Sequence, residues 1–185
     1  TLQSVTIEDI GAGASIFVLE QEGTSVTSSL GEQLDYDRRD DALNPTSGYL
    51  LQQSTDIAGF GGTEKYIRNR MGASYFYPFA IDWTGNLRAE GGVIQGIFGE
   101  DVSIADRFFL GGGSLRGFEP AGVGPRDLST DDALGGNVFW TSTAELTVPL
   151  GLPRELGLLG RVFTDFGSLF DLDSTGPSIA DVNSV

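Results

Sequence analysis

Phe108-Phe109-Leu110-Gly111-Gly112-Gly113-Ser114-Leu115-Arg116-Gly117-Phe118 places three consecutive glycines just ahead of an arginine that stands between Leu115 and Gly117-Phe118. A glycine run lets the backbone reach positive φ and approach other chain closely. Arginine is a permanently charged fork of five donors that matches carboxylates. If such a loop tip is buried, its charge requires a partner, because an unpaired buried charge is very costly. Two downstream acids lie in strand-like runs and can serve: Glu145 in AELTVPL and Asp165 in VFTDFG. The segment therefore reads as a plug that folds back and is held by these acids.

Around this loop the chain alternates. Tyr49, Leu51 and Ile57 fall on one face of a strand over 49–58, with Gln52, Ser54 and Asp56 on the other. From Lys65 to Phe79, Ile67, Met71, Ala73, Tyr75 and Tyr77 oppose Tyr66, Arg68, Arg70, Gly72 and Ser74. Two arginines on one strand face do not suit a soluble sandwich core but are ordinary in a wet barrel lumen. Tyr75, Tyr77 and Phe79 gather at one strand end, with Trp83 just beyond, as an interfacial aromatic girdle would. Further strands are expected over 1–10, 25–36, 83–98, 137–150 and 158–167. Glu32 falls on the apolar face of its strand, where the pattern does not explain it. Within the loop over 11–23, ASIFVLEQE has the composition of one or two helical turns. Residues 37–48 are dense in Asp, Asn, Pro and Gly and read as a turn. Residues 99–136 form one long connection, too rich in Phe and Leu for a disordered tail. The stretch 149–157 is a short turn, and 168–185 reads as a polar loop with no further strand. About seven antiparallel strands result.

Composition narrows the chemistry. The 185 residues contain neither cysteine nor histidine, which removes disulfides, Ser-His-Asp and Cys-His catalysis and the usual zinc sites. A net charge of −15 argues against a nucleic-acid partner. No apolar run approaches the roughly 20 residues of a membrane-spanning helix, whereas a transmembrane β-strand needs only about 10. Asp127, Asp131 and Asp132 do not have EF-hand spacing and read instead as a solvated acidic loop. Gly111-Gly112-Gly113 lacks the ending and the following helix of a phosphate cradle. No cofactor, metal or catalytic residue is expected.

Period-2 alternation sets Glu145 and Asp165 on the same polar face of two adjacent strands. Such strands lie about 4.8 Å apart, so one guanidinium can reach both. Spacing alone leaves a second reading open, in which Arg116 is a solvated loop tip and the acids merely line a lumen. A role for the two acids as a glycosidase-type pair fits poorly, since a fixed arginine would keep both ionised.

Three motifs in order carry a family resemblance. Ser114-Leu115-Arg116-Gly117-Phe118 resembles the VRGF/Y signature of the BamA family of outer-membrane β-barrel assembly factors. Asp165-Phe166-Gly167 resembles that family's later strand motif, and Asp37-Arg38-Arg39-Asp40 through Asn44-Pro45-Thr46-Ser47-Gly48 resembles its periplasmic turn. The resemblance implies an all-β fold in which about seven antiparallel strands form part of a 16-stranded transmembrane β-barrel with a long lumen-inserted loop. It implies a latch of Arg116, Glu145 and Asp165. Gly111, Gly112, Gly113, Leu115, Gly117 and Phe118 would be the loop motif, and Phe166 and Gly167 the strand motif. Residues 1–185 would lie within one barrel domain, with POTRA domains before Thr1 and the last three strands after Val185.

The implied function is folding and inserting β-barrel proteins into the outer membrane of a Gram-negative bacterium, without nucleotide. The implied partners are nascent β-barrel proteins, outer-membrane lipids and lipopolysaccharide, and accessory assembly lipoproteins met through the POTRA domains. Rival readings are a TamA-like or two-partner secretion transporter of the same superfamily, a passive porin, and a soluble β-sandwich binding module.

Overall fold

The computed structural model describes residues 2–7, 14–19, 21–151, 156, 158–173 and 179–182. Seven strands make one antiparallel sheet: β1 (Leu2–Ile7), β2 (Gly23–Asp37), β3 (Gly48–Ala58), β4 (Tyr66–Ala80), β5 (Trp83–Gly96), β7 (Val138–Pro149) and β8 (Leu159–Phe170). They are hydrogen-bonded in chain order, β1-β2-β3-β4-β5-β7-β8. The order is interrupted in sequence only between β5 and β7, where the long loop leaves and returns. That loop contains a 3₁₀ turn at Ile104–Asp106 and a short strand β6 (Gly124–Asp127). A single helical turn, α1 (Ile16–Leu19), lies between β1 and β2.

The two faces of the sheet differ as alternation requires. Leu30, Leu34, Leu51, Met71, Leu87 and Val162 stand exposed on one face, the pattern of a lipid-facing wall. On that face the aromatics collect toward the short-turn end. Tyr36 packs on Tyr49 with ring centres 5.9 Å apart, and Tyr77 meets Phe79 edge-on at 5.0 Å. Glu32 also points outward, opposite Thr55 in the β2–β3 register. Thr55 donates to Asn69 at 2.7 Å, so a small polar track crosses this otherwise apolar wall.

The core lies on the other face and is built between wall and loop. Ile94, Phe139 and Leu169 from the strands bury against Phe108, Leu110, Leu115 and Val123 from the loop. Burying each of these large side chains is worth roughly 1.5–3 kcal/mol, so the loop is as much a part of the core as the strands. Arg70 joins from the wall, its guanidinium 4.8 Å from the Phe108 ring centre. Arg68 pairs with Asp56 at 3.3 Å across β3 and β4.

Three sequence expectations are corrected. The stretch 168–185 is not a strandless loop. β8 runs on to Phe170, and β9 (Ile179–Val182) pairs antiparallel with β6, Gly124 opposite Val182. Four residues carry too little alternation to mark a strand, and the partner lies far earlier in the chain. The strand expected over 83–98 ends at Gly96, because Phe98 and Gly99 adopt φ of 61° and 82° and turn the chain. Asp127, expected in a solvated acidic loop, is almost wholly buried, because hydroxyl and amide donors surround its carboxylate. In the glycine run, Gly111 and Gly112 adopt positive φ, at 129° and 57°. Parts of four expected segments lie outside the described residues: 1 and 8–10 of the first strand, 11–13 and 20 of the first loop, 152–155 and 157 of the last turn, and 174–178 and 183–185 of the final stretch.

The turn over 38–47 is organised by two carboxylates: Asp41 accepts from the backbone N–H groups of Leu43 and Asn44, both at 2.7 Å, and Asp40 ties down the residues that follow. Asp40 accepts hydrogen bonds from the backbone N–H groups of Thr46 and Ser47, at 2.9 and 3.0 Å, and from the Thr46 hydroxyl. These donors, the Thr46 hydroxyl foremost, hold its carboxyl well below the usual carboxylate range.

Candidate functional site

The loop reaches the wall as a narrow fold-back. Phe108 bridges Gly136 and Leu110 bridges Val123, which sets its two limbs side by side. At the tip, Gly112 N–H donates to the Phe118 carbonyl at 2.9 Å, and the Ser114 hydroxyl donates to the Gly111 carbonyl at 2.9 Å. A side chain at Gly111 would run into the Glu119 carbonyl, so glycine is required there for space as well as for φ. This tight tip divides the two residues that follow. Leu115 is buried in the core, and Arg116 turns to the polar part of the inner face.

Arg116 lies between the two acids. Its Nε and Nη2 donate to Asp165 Oδ2 and Oδ1 at 2.7 and 2.8 Å, a two-pronged contact. Its Nη1 donates to Glu145 Oε2 at 2.9 Å. Its backbone N–H adds a bond to Asp165 Oδ2 at 3.2 Å. Charge-assisted pairs of this geometry are the strong kind. Asp165 comes first and Glu145 second in holding the guanidinium above its already high ordinary value, against the opposing effect of partial burial. Arginine does not lose its proton at any pH a folded protein meets, so the charge is permanent.

The strands fix this arrangement by parity. Glu145 stands opposite Phe163, and Asp165 opposite Thr143, in the β7–β8 register. The side chains of Asp165 and Glu145 are only 5% and 14% exposed, against 35% for Arg116, so the acids have little water to fall back on. Gly167 leaves room for the loop: a Cβ there would stand 3.1 Å from Leu115 Cδ1. Phe118 packs at the margin of the same core. Gly117 closes the motif with φ of 93°. Gly113 shows neither a positive φ nor any close neighbour. Phe166 points to the outer face and is half exposed, so it touches no part of the loop motif named above.

Two side chains at the site were not named among the candidates. The guanidinium of Arg116 lies 3.5 Å above the centre of the Phe163 ring. Arg161 Nη1 stands 3.6 Å from Glu145 Oε1. The signal for both was present: Arg161, Phe163 and Asp165 follow at every second position on one strand face. A second tie holds the loop farther out. Asp127, almost wholly buried, accepts from the hydroxyls of Ser15 and Ser129 and from the Ser129 N–H. Ser129 first, then Ser15, hold its carboxyl below the usual range. Asp132 accepts from the Ser15 N–H at 2.7 Å. Asp127 and Asp132 thus fasten the β1–β2 connection to the long loop, whereas Asp131 stays exposed and pairs with Arg126 at 3.3 Å.

An exposed apolar outer face, a polar inner face and a lumen filled by the chain's own arginine-bearing loop define part of a transmembrane β-barrel with an internal plug. The chain belongs to the Omp85 superfamily: the profile of the Omp85 superfamily domain matches residues 1–185. It is 36% identical over 180 residues to the outer membrane protein assembly factor BamA of Neorickettsia risticii, covering 97% of this chain and 24% of that protein. It is 34% identical over 152 residues to the sorting and assembly machinery component 50 homolog of Mus musculus, covering 81% of this chain and 32% of that one. The crystal structure of BamA from Haemophilus ducreyi lacking POTRA domains 1–3 superimposes with a TM-score of 0.73 at 21% identity, over 80% of this chain and 31% of that one. That likeness shows a shared fold. The chain spans about a quarter to a third of the relatives it matches.

Proposed function

We propose that this barrel wall belongs to an assembly factor that folds and inserts β-barrel proteins into an outer membrane. The observation that carries the reading is the alignment with a bacterial assembly factor over 97% of the chain. The same alignment, longer than the 81% reached with the mouse relative, supports a Gram-negative source. Nascent β-barrel proteins are then the substrates, with membrane lipids and lipopolysaccharide as surroundings. Accessory lipoproteins would be met through POTRA domains, and three further strands would complete the barrel. The protein is not an enzyme in this reading. In this stretch of chain the two best-placed acids are occupied by a permanent cation. Insertion would instead draw on strand-edge pairing, in which an open edge templates the incoming chain.

Arg116, Glu145 and Asp165 act as a latch in this account. They hold the loop in the lumen, with Gly111, Gly112, Leu115, Gly117 and Phe118 shaping the tip and Gly167 making room for it. A lumen filled in this way also disfavours a freely conducting porin. Depletion of the full-length protein is expected to lower the membrane level of porins and other β-barrels. Normal porin levels after complete depletion would refute the assembly reading.

A further inference from the structure

Glu145 is approached by two cations from opposite ends of the barrel wall. Arg116 arrives with the loop, from the long-loop end, and holds Oε2 at 2.9 Å. Arg161 stands near the start of β8, on the short-turn side, and faces Oε1 at 3.6 Å. In the register Arg161 is opposite Thr147, one inward position below Glu145, so it lies diagonally across from the acid. It belongs to the wall and stays when the loop moves. Its side chain is 64% exposed, and it borders a cavity of about 640 Å³ that Asn86, Glu145 and Asp165 also line. It therefore has room to move. Asn86 lies directly opposite Glu145 on β5, and its Oδ1 is buried with no hydrogen-bond partner among the described residues.

We propose that Arg161 is the reserve counter-ion of Glu145, a positioning residue that takes over the carboxylate when Arg116 withdraws. The proposal rests on the latch reading and adds a second state to it. An acid this little exposed would be costly to leave unpaired, and that cost would resist any movement of the plug. With Arg161 already beside the free oxygen, closing it to hydrogen-bond distance gives Glu145 a new charge-assisted bond as the first is lost. Asp165 has no second cation within ion-pair distance among the described residues, and Arg116 engages both its oxygens. The loop is thus released from Glu145 easily and from Asp165 only at full cost, which makes Asp165 the strong half of the latch.

The test uses the full-length protein in detergent or liposomes, with Tm read from the heat-induced mobility shift of the folded barrel. Arg161→Gln is compared in the wild-type and Arg116→Ala backgrounds. The expected result is a Tm loss from Arg161→Gln roughly twofold or more larger in the Arg116→Ala background. Arg161→Lys should recover most of that difference, because it keeps a cation in reach. Equal losses in both backgrounds, or no recovery with lysine, would overturn the reserve role. Asp165→Asn separates the two readings: if it and Arg116→Ala both leave Tm unchanged, the latch itself has failed. Should the double variant not fold, Arg116→Lys replaces Arg116→Ala, and the same comparison decides.

Discussion

Arg116 makes three side-chain hydrogen bonds to two acids and stacks on Phe163, so its guanidinium is used on its edge and on its face. Truncation to alanine strands the poorly exposed Asp165 and leaves Glu145 with Arg161 alone, 3.6 Å from its Oε1. Removing one partner of a buried pair costs about 3–5 kcal/mol, and the partial exposure of Arg116 reduces that to about 2–3 kcal/mol. Arg116→Lys keeps the charge but loses the two-pronged grip on Asp165. It is expected to recover less than half of the loss, measured as Tm of the full-length barrel. Sequence made much of this site legible. The glycine-flanked arginine and the two acids on matching strand faces were readable from spacing and motif. Phe163 was not singled out, because parity gives the face of a residue but not which neighbour a guanidinium will stack on. Ser15 was beyond reach for another reason: its partners Asp127 and Asp132 lie more than a hundred residues away.

At the scale of elements, the turn between β2 and β3 offers a pH test. The Asp40 carboxyl is held low by its three donors, so the sign is fixed. Its contribution is fully present above the ordinary aspartate range and is lost as pH falls through the lowered folded value. Near neutral pH the Thr46 and Ser47 amides should therefore be protected from hydrogen exchange. Asp40→Ala should remove that protection at neutral pH, as strong acid does in the wild type. The sheet itself was readable because a wall with lipid on one side and water on the other must alternate. β9 was not, since its pairing with β6 is a non-local choice that no local pattern reports. The outward Glu32 was seen in the sequence, and the structure sets Thr55 opposite it, with no ion-pair partner for its charge among the described residues.

In the molecule as a whole, the inner face of the seven-stranded wall is occupied by the chain's own loop. The buried core is shared between wall residues such as Ile94, Phe139 and Leu169 and loop residues such as Phe108 and Leu115. Such a barrel is expected to conduct poorly in a planar bilayer, and Arg116→Ala should make large openings more frequent. Indistinguishable conductance in the two proteins would mean that the loop stays in place without the proposed latch. The seating of the loop is tested most directly by a covalent link between Leu115 and Gly167, whose positions bring a Cβ within 3.1 Å of Leu115 Cδ1. In full-length protein freed of other cysteines and kept in intact membranes, Leu115→Cys with Gly167→Cys should form a disulfide or accept a short cross-linker. Leu115→Cys with Leu30→Cys, on the outer face, should not. No link in the first pair, together with rapid labelling of Leu115→Cys by a membrane-impermeant thiol reagent, would contradict a loop folded into the barrel.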